Sequence, residues 1–386
     1  RSVAPVRSAR RRSSPRIINA STTQITMICK RNVADEIILC ALDISSAGLC
    51  RGVCAIRNLL LLLAYLPMPF VGFAWPAVGL AIWLWLSLAN PHREVFGFMY
   101  GQPLVFVVAV ATIVGWLLFE RRRLRRVDLS IYLYIIIIGI IIYSSYHSLK
   151  PIASWPLADR HLKTLGLIML IYFCADTKQR IRFFLGIFAM SIAYWGIQGG
   201  LVFIASGGQG QFSGPEQSAI ADRNHLALAM ATSLPILMYF ATWSKLPRPV
   251  QLAIWGTFGL TVLAVVGTYS RGGALTLALV GGLLLLRSRK FILGGLAALT
   301  VVAALAVATP EQYVDRMTSI ETAAETDRSF RLRLLSWYVY FQAGSTFPFQ
   351  GAGFGALEYA DVYLSFVPVD GFMGITTEKG FAAHSI

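Results

Sequence analysis

Residues 129–146 read LSIYLYIIIIGIIIYSSY, a stretch with no charged side chain. The run Ile135–Ile138 would suit a β-strand in water, because β-branched side chains fill a pleated surface. Length decides otherwise. Strands usually stop within about ten residues, whereas a helix of about 20 apolar residues crosses the roughly 30 Å hydrocarbon core of a bilayer. Similar runs occur at 58–74, 76–89, 103–119, 162–176, 183–205, 224–243, 249–268, 272–287 and 291–308. The pattern predicts an all-α polytopic transmembrane bundle of about ten spans.

Composition supports that solvent. Of the 386 residues, 56% are hydrophobic and 14% charged, and the mean hydropathy is +0.62. A soluble domain carries about 25% charged residues, so this chain lacks the polar side chains to cover a core in water. The net charge of +15 does not point to nucleic acid, because the basic residues fall mostly in short loops between apolar runs. The lipid bilayer is the expected partner.

Those loops orient the chain. Arg121-Arg122-Arg123-Leu124-Arg125-Arg126 follows the third run, and two runs at a time lead to Lys178/Arg180/Arg182, Lys245/Arg248 and Arg287/Arg289/Lys290. All four lie on one side, which the positive-inside rule makes cytoplasmic. The loops at about 147–161, 206–222 and 268–272 then face outward. So does everything after Thr309, where Glu311–Lys379 holds nine acidic and five basic residues. In that tail Phe330–Phe341 has Leu334, Leu335, Trp337, Tyr338 and Phe341 at helical spacing, which predicts a helix on the membrane surface.

Three regions follow: a poorly structured arm at 1–57, a transmembrane domain at 58–308 and an external loop at 309–386. The arm is rich in Arg, Ser and Cys, and is expected to be a disordered cytosolic tail or sequence foreign to the domain rather than a targeting-like arm, because no small-residue cleavage pattern stands out. The chain begins at Arg1 and ends at His384-Ser385-Ile386, so further spans are expected beyond it. Cys29, Cys40, Cys50 and Cys54 have neither CxxC spacing nor a nearby histidine, and Cys174 lies within an apolar run. Neither zinc nor a disulfide framework is indicated.

On the outward side, Thr268-Tyr269-Ser270-Arg271-Gly272-Gly273 joins two apolar runs. Arg271 there is either a snorkelling interfacial arginine or an anion clamp, since guanidinium offers bidentate donors to phosphate. Arg331 and Arg333, with Trp337 one turn on, form either a solvated basic face or a second clamp. His384, near the expected next span, is either a structural histidine or a proton acceptor, since histidine titrates near neutral pH. The loop Gly207–Pro215 lacks the Gly-Lys-Ser/Thr ending of a phosphate-binding loop. No Asp-x-Asp, His-x-x-x-His or Gly-x-Ser-x-Gly motif occurs, which leaves metal-assisted and serine-hydrolase chemistry without support.

Together these segments resemble the O-antigen ligase/polymerase superfamily. The resemblance rests on Trp195-Gly196-Ile197-Gln198-Gly199-Gly200, the Gly-rich loop, Ile220–Ala227, Ser270-Arg271-Gly272, Arg333 with Trp337, Pro348, Gly351–Gly355 and Ala383-His384-Ser385. Asn90-Pro91-His92-Arg93 and the motif order resemble the putative O-glycosylation ligases associated with exosortase systems. The likeness runs from about residue 59 to the end. It implies a multi-pass protein of the bacterial inner membrane that moves a glycan from undecaprenyl diphosphate to an acceptor hydroxyl on a lipid, protein or polysaccharide. Transfer would occur on the periplasmic face, with neither metal nor cofactor. Arg271 and Arg333 would hold the diphosphate, with Arg331 and Trp337 as further binding residues, and His384 would activate or orient the acceptor. Family members often carry Asn at position 223 and Lys at 198, where this chain has Arg223 and Gln198. A polymerase of the same fold, or a polyprenyl-glycan or solute transporter, are the alternatives. A transporter should show paired halves with broken helices, and none is visible.

Overall fold

A computed structural model describes residues 47–95, 98–119, 128–215, 218, 220–243, 245–287, 328–368, 372, 379 and 380. The described residues form helices and contain no β-strand. The helices are α1 (Ala47–Tyr65), α2 (Met68–Ala74), α3 (Pro76–Ala89), α4 (Leu104–Phe119), α5 (Leu129–Tyr146) and α6 (Pro151–Cys174). After them come α7 (Lys178–Ala205), α8 (Arg223–Ala241), α9 (Arg248–Gly267), α10 (Arg271–Arg287), α11 (Arg328–Thr346) and the short α12 (Ala360–Leu364). The apolar run at 291–308 lies outside the described residues, as does His384. The first helix among the described residues begins at Ala47, inside the segment expected to be an arm.

Five stretches among the described residues are long and apolar enough to cross a membrane: Ile56–Ala74, Leu129–Tyr146, Lys178–Ala205, Arg223–Ala241 and Arg248–Gly267. Burial separates their roles. In α5 only 17% of the apolar window is buried, against 56% in α7. Ile135, Ile136, Ile137, Ile140 and Ile142 of α5 lie exposed on the outside of the bundle while Ile131 and Ile141 pack inward, and α7 is the central post. At 28 residues, α7 is about 42 Å long, so it reaches beyond a hydrocarbon core of about 30 Å.

The run at 76–89 does not behave as a free span. Its 14-residue helix measures about 21 Å. Pro76 starts it with a fixed φ, and Trp75 before it breaks the ladder at φ −129° and ψ 85°. A Cβ on Gly79 would lie 2.6 Å from Gly72 Cα, although an unbroken helix would hold such residues about 10 Å apart. The chain thus doubles back at Trp75. Helix α4 packs into the hairpin, where a Cβ on Gly115 would meet the Phe73 carbonyl oxygen at 2.1 Å. Small residues permit this approach, as is common where helices pack in lipid.

Helices α5 to α10 alternate in direction. One end of the bundle holds the turns 174–178 and 241–248, with Arg287. Here Asp128 caps α5 by accepting from Ser130 N at 3.0 Å, and it accepts from Tyr172 Oη at 2.7 Å. The Tyr172 hydroxyl is the main influence holding its carboxyl below the usual range. Arg182 lies over the Trp243 ring at 5.2 Å. The opposite end holds the turns 146–151, 205–223 and 267–271, the loops that charge assigned to the outside.

Besides a small cluster of Ala189 and Ala193 with Leu237 of α8, two larger buried clusters run along α7. One joins Leu80, Trp83 and Leu86 of α3 with Val108, Leu167, Cys174 and Phe184. The other joins Ile192 and Trp195 to Phe212, Leu226, Met230, Ala264 and Val265. At α9 the contact is backbone-close: a Cβ on Gly196 would lie 2.2 Å from Thr261 Oγ1, and one on Gly200 2.4 Å from the Leu260 carbonyl oxygen. The motif Gly196-Ile197-Gln198-Gly199-Gly200 thus includes a Gly-x-x-x-Gly packing surface.

Candidate functional site

The site is built where two turns, 205–223 and 267–271, meet at the end opposite the basic turns. Gly207 and Gly208 take φ of 59° and 83°, a region glycine enters without penalty. This turns the chain so that the Gly208 carbonyl accepts from the Tyr269 hydroxyl. Phe212 N donates to the Gly267 carbonyl at 3.1 Å, and the Phe212 ring lies 6.4 Å from that of Trp195. Tyr269 itself has φ 54°, a left-handed conformation that costs a non-glycine residue about 1–2 kcal/mol. Its hydroxyl bond to Gly208 is one of the contacts that hold it there. Burial raises the Tyr269 pKa, so the phenol stays protonated and can donate.

Next to this loop, two helices begin side by side. Asp222 caps α8 and accepts from Asn224 N at 2.8 Å and His225 N at 3.4 Å. Partial burial pushes the Asp222 carboxyl up, but these backbone donors and His225 outweigh it and the net pKa is lowered. Ser270 precedes α10, where its Oγ accepts from Gly273 N at 2.9 Å and donates to Asn224 Oδ1 at 2.6 Å. A Cβ on Gly273 would sit 2.6 Å from that of Ala227, so α8 and α10 approach as closely as their backbones allow. Arg271 is the first residue of α10 and half-buried. Its guanidinium adds to the positive end of the α10 helix dipole. Among the described residues no three His, Cys, Asp or Glu side chains gather as a metal site would require. The groups converging here are guanidinium, amide, hydroxyl and backbone N–H.

The second arginine group belongs to a separate unit. On α11, Leu335, Val339 and Ala343 are buried with Ala356, Leu357, Val362 and Tyr363, and Ser336 Oγ shares a hydrogen bond with Tyr363 Oη at 3.1 Å. Arg333, Trp337 and Phe341 lie four residues apart on the exposed face, with Trp337 48% and Phe341 72% exposed. Arg331 is half-buried on the flank. The unit docks on the 146–161 hairpin. Leu149 N donates to the Ala352 carbonyl at 2.9 Å, Lys150 pairs with Asp361, and the rings of His161 and Phe354 are 4.9 Å apart. The lysine is the main cause that holds the Asp361 carboxyl below its usual range. Gly351, Gly353 and Gly355 have φ of 66°, 112° and 73°, which is why that motif is glycine-rich. Thus Arg333 and Trp337 share a face, while Arg271 sits on a separate helix with neighbours from 208–225.

Sequence reading missed two constellations. One is the Asn224–Ser270 bond, which links two recognised motifs across 46 residues. The other lies at the start of the chain's apolar part. Tyr194 Oη donates to Glu94, Arg57 Nη2 to the Glu94 carbonyl at 2.7 Å, and Trp195 Nε1 to the Leu88 carbonyl at 3.0 Å. His92, outside the spans, is buried, and burial together with Arg93 pushes its pKa down to about 4. The available signal was Glu94, an acidic residue in an acid-poor and strongly apolar half of the chain.

Comparison with known proteins divides the chain in two. Residues 56–245 match a family of unknown function (DUF5935), and residues 256–385 match the family described as O-Antigen ligase. No curated protein matches the chain, and no solved structure does.

Proposed function

Residues 256–385 carry an O-antigen ligase domain, which makes the chain a member of the O-antigen ligase superfamily, and on that premise we propose that it transfers a glycan from undecaprenyl diphosphate to an acceptor hydroxyl. The reading assigns it to the bacterial inner membrane, with transfer on the periplasmic face. Acceptor oxygen attacks the anomeric carbon, that carbon's bond to the diphosphate oxygen breaks, and the acceptor proton passes to a base. His384 is the assigned base. Negative charge grows on the departing diphosphate, and Arg271 is the assigned clamp, with Arg333 as a second and Arg331 and Trp337 at its margin.

The observation that carries the reading is the placement of Arg271. It heads α10, at the bundle end where the turns 205–223 and 267–271 meet, and its charge adds to the positive end of the helix dipole. Anions bind at helix N-termini for this reason. Planar guanidinium also engages two oxygens at once.

The test uses the full-length protein in membranes with the carrier-linked donor. Arg271→Ala and Arg333→Ala each lower transfer about 100- to 1000-fold, the usual effect of removing one donor to developing charge, at normal membrane abundance. Lysine restores little, because a point charge does not reproduce a bidentate fork. His384→Ala impairs transfer but leaves donor binding intact. Wild-type transfer by Arg271→Ala removes the clamp from the mechanism. A product ladder lengthening on the carrier would identify a polymerase of the same fold instead.

A further inference from the structure

Two segments carry most of the polar groups at the site, 220–227 and 268–273, and one side-chain bond ties them together. Ser270 Oγ accepts from Gly273 N at 2.9 Å and gives its single proton to Asn224 Oδ1 at 2.6 Å. Asn224 N in turn donates to the Asp222 cap at 2.8 Å. The chain Asp222–Asn224–Ser270–Gly273 therefore joins the first turns of α8 and α10. We propose that Asn224 and Ser270 are positioning residues that aim Arg271, a role resting on the diphosphate clamp proposed above.

The geometry separates two degrees of freedom. Contact of Gly273 with Ala227, where an added Cβ would come to 2.6 Å, fixes how far apart the helices stand. It leaves α10 free to roll about its own axis, because a glycine–alanine contact has no directional preference. The hydrogen bond removes that roll, since its strength falls steeply as the angle departs from linear. Arg271 follows Ser270 directly, so a roll of the first turn swings its guanidinium away from any fixed target. Tyr269 holds the other side of the junction through its bond to the Gly208 carbonyl. A shift of about 1 Å in a catalytic group is enough to cost up to about 100-fold in rate.

The experiment measures kcat and donor KM together with thermal stability, in the full-length protein in membranes or nanodiscs. Asn224→Ala and Ser270→Ala each lower kcat about tenfold with donor KM changed less than threefold. Ser270→Thr, which restores the hydroxyl, recovers most of the loss. The double variant is no worse than either single variant, because both act through one bond. In an Arg271→Lys background Asn224→Ala costs less than twofold, because its effect passes through the arginine. If an alanine variant fails to accumulate, Asn224→Gln keeps the amide but displaces it by one methylene, and the same loss in kcat is expected. Wild-type kcat in Asn224→Ala and Ser270→Ala beside an inactive Arg271→Ala overturns the positioning role alone, as do additive losses in the double variant. Wild-type transfer by Arg271→Ala overturns the clamp itself.

Discussion

Adding a single methyl at Gly200 tests how the centre of the bundle is held. Gly200 lies on α7, where a Cβ would come to 2.4 Å from the Leu260 carbonyl oxygen of α9. An ordinary carbon–oxygen approach is about 3.3 Å, so Gly200→Ala forces the helices apart by nearly 1 Å. Leu260 O is backbone and cannot rotate aside. Overpacking of this kind costs about 1–3 kcal/mol, offset by about 1 kcal/mol of helix propensity gained on replacing glycine. The net expectation is a loss of about 1 kcal/mol, up to about 2. A Cβ added at Gly259, on the facing helix α9, would meet no other packed atom within 4 Å among the described residues, so Gly259→Ala keeps the propensity gain without the clash. The two variants add the same methyl to helices in the same solvent, and they should differ by about 2 kcal/mol. Reversible unfolding in mixed micelles titrated with sodium dodecyl sulfate reads that difference. Equal stability of the two, or a larger loss at Gly259, would refute the reasoning that backbone contact between α7 and α9 sets the core.

Other outcomes follow from charge. His92 has its pKa pushed down to about 4 from 6.5, so between those values the unfolded chain binds a proton that the folded chain refuses. Stability is then fully present above about pH 6.5 and falls as pH drops towards 4, by up to about 3 kcal/mol. His92→Gln should flatten that part of the pH profile, and an unchanged slope would show that another group titrates there. Reporter fusions after residues 126, 180, 246 and 289 should report cytoplasm and a fusion at 356 periplasm, following the one-sided basic loops; a periplasmic signal at 246 reverses the orientation.

Much of the fold was legible in the sequence because lipid imposes a simple rule. A spanning segment must satisfy its own backbone hydrogen bonds, so a long uncharged run such as 129–146 has only one local solution, and α5 coincides with it at Leu129–Tyr146. Most of the other apolar runs also fall on helices, with ends displaced by a few residues; α6 starts at Pro151, well before its expected start at 162. Loop charges sorted the turns into two groups, and the described helix directions sort them the same way. Residue type and neighbours singled out Arg271, Arg331, Arg333 and Trp337 as candidates, with a snorkelling or solvated role still open, and the resemblance to the O-antigen ligase superfamily supplied their assignment to diphosphate and glycan.

Hydropathy cannot report which helices touch, because every lipid-facing or core-facing run looks equally apolar. The hairpin at Trp75 was therefore hidden: the runs at 58–74 and 76–89 read as two spans until Gly72 and Gly79 were brought face to face. The same limit hid the polar pairings. Asn224 with Ser270, and Tyr194 with Glu94, are separated by 46 and 100 residues, and each hydrogen bond exists only because helix packing delivers both partners to one place. The sequence by itself determined the solvent, the helices and the candidate chemistry, since these depend on local composition and on nearest neighbours. Tertiary structure alone decided which loops converge, that Arg271 heads a helix beside Asn224, and that the unit bearing Arg333 and Trp337 docks on the 146–161 hairpin. These are properties of distance and angle between segments far apart in the chain, and no local pattern encodes them.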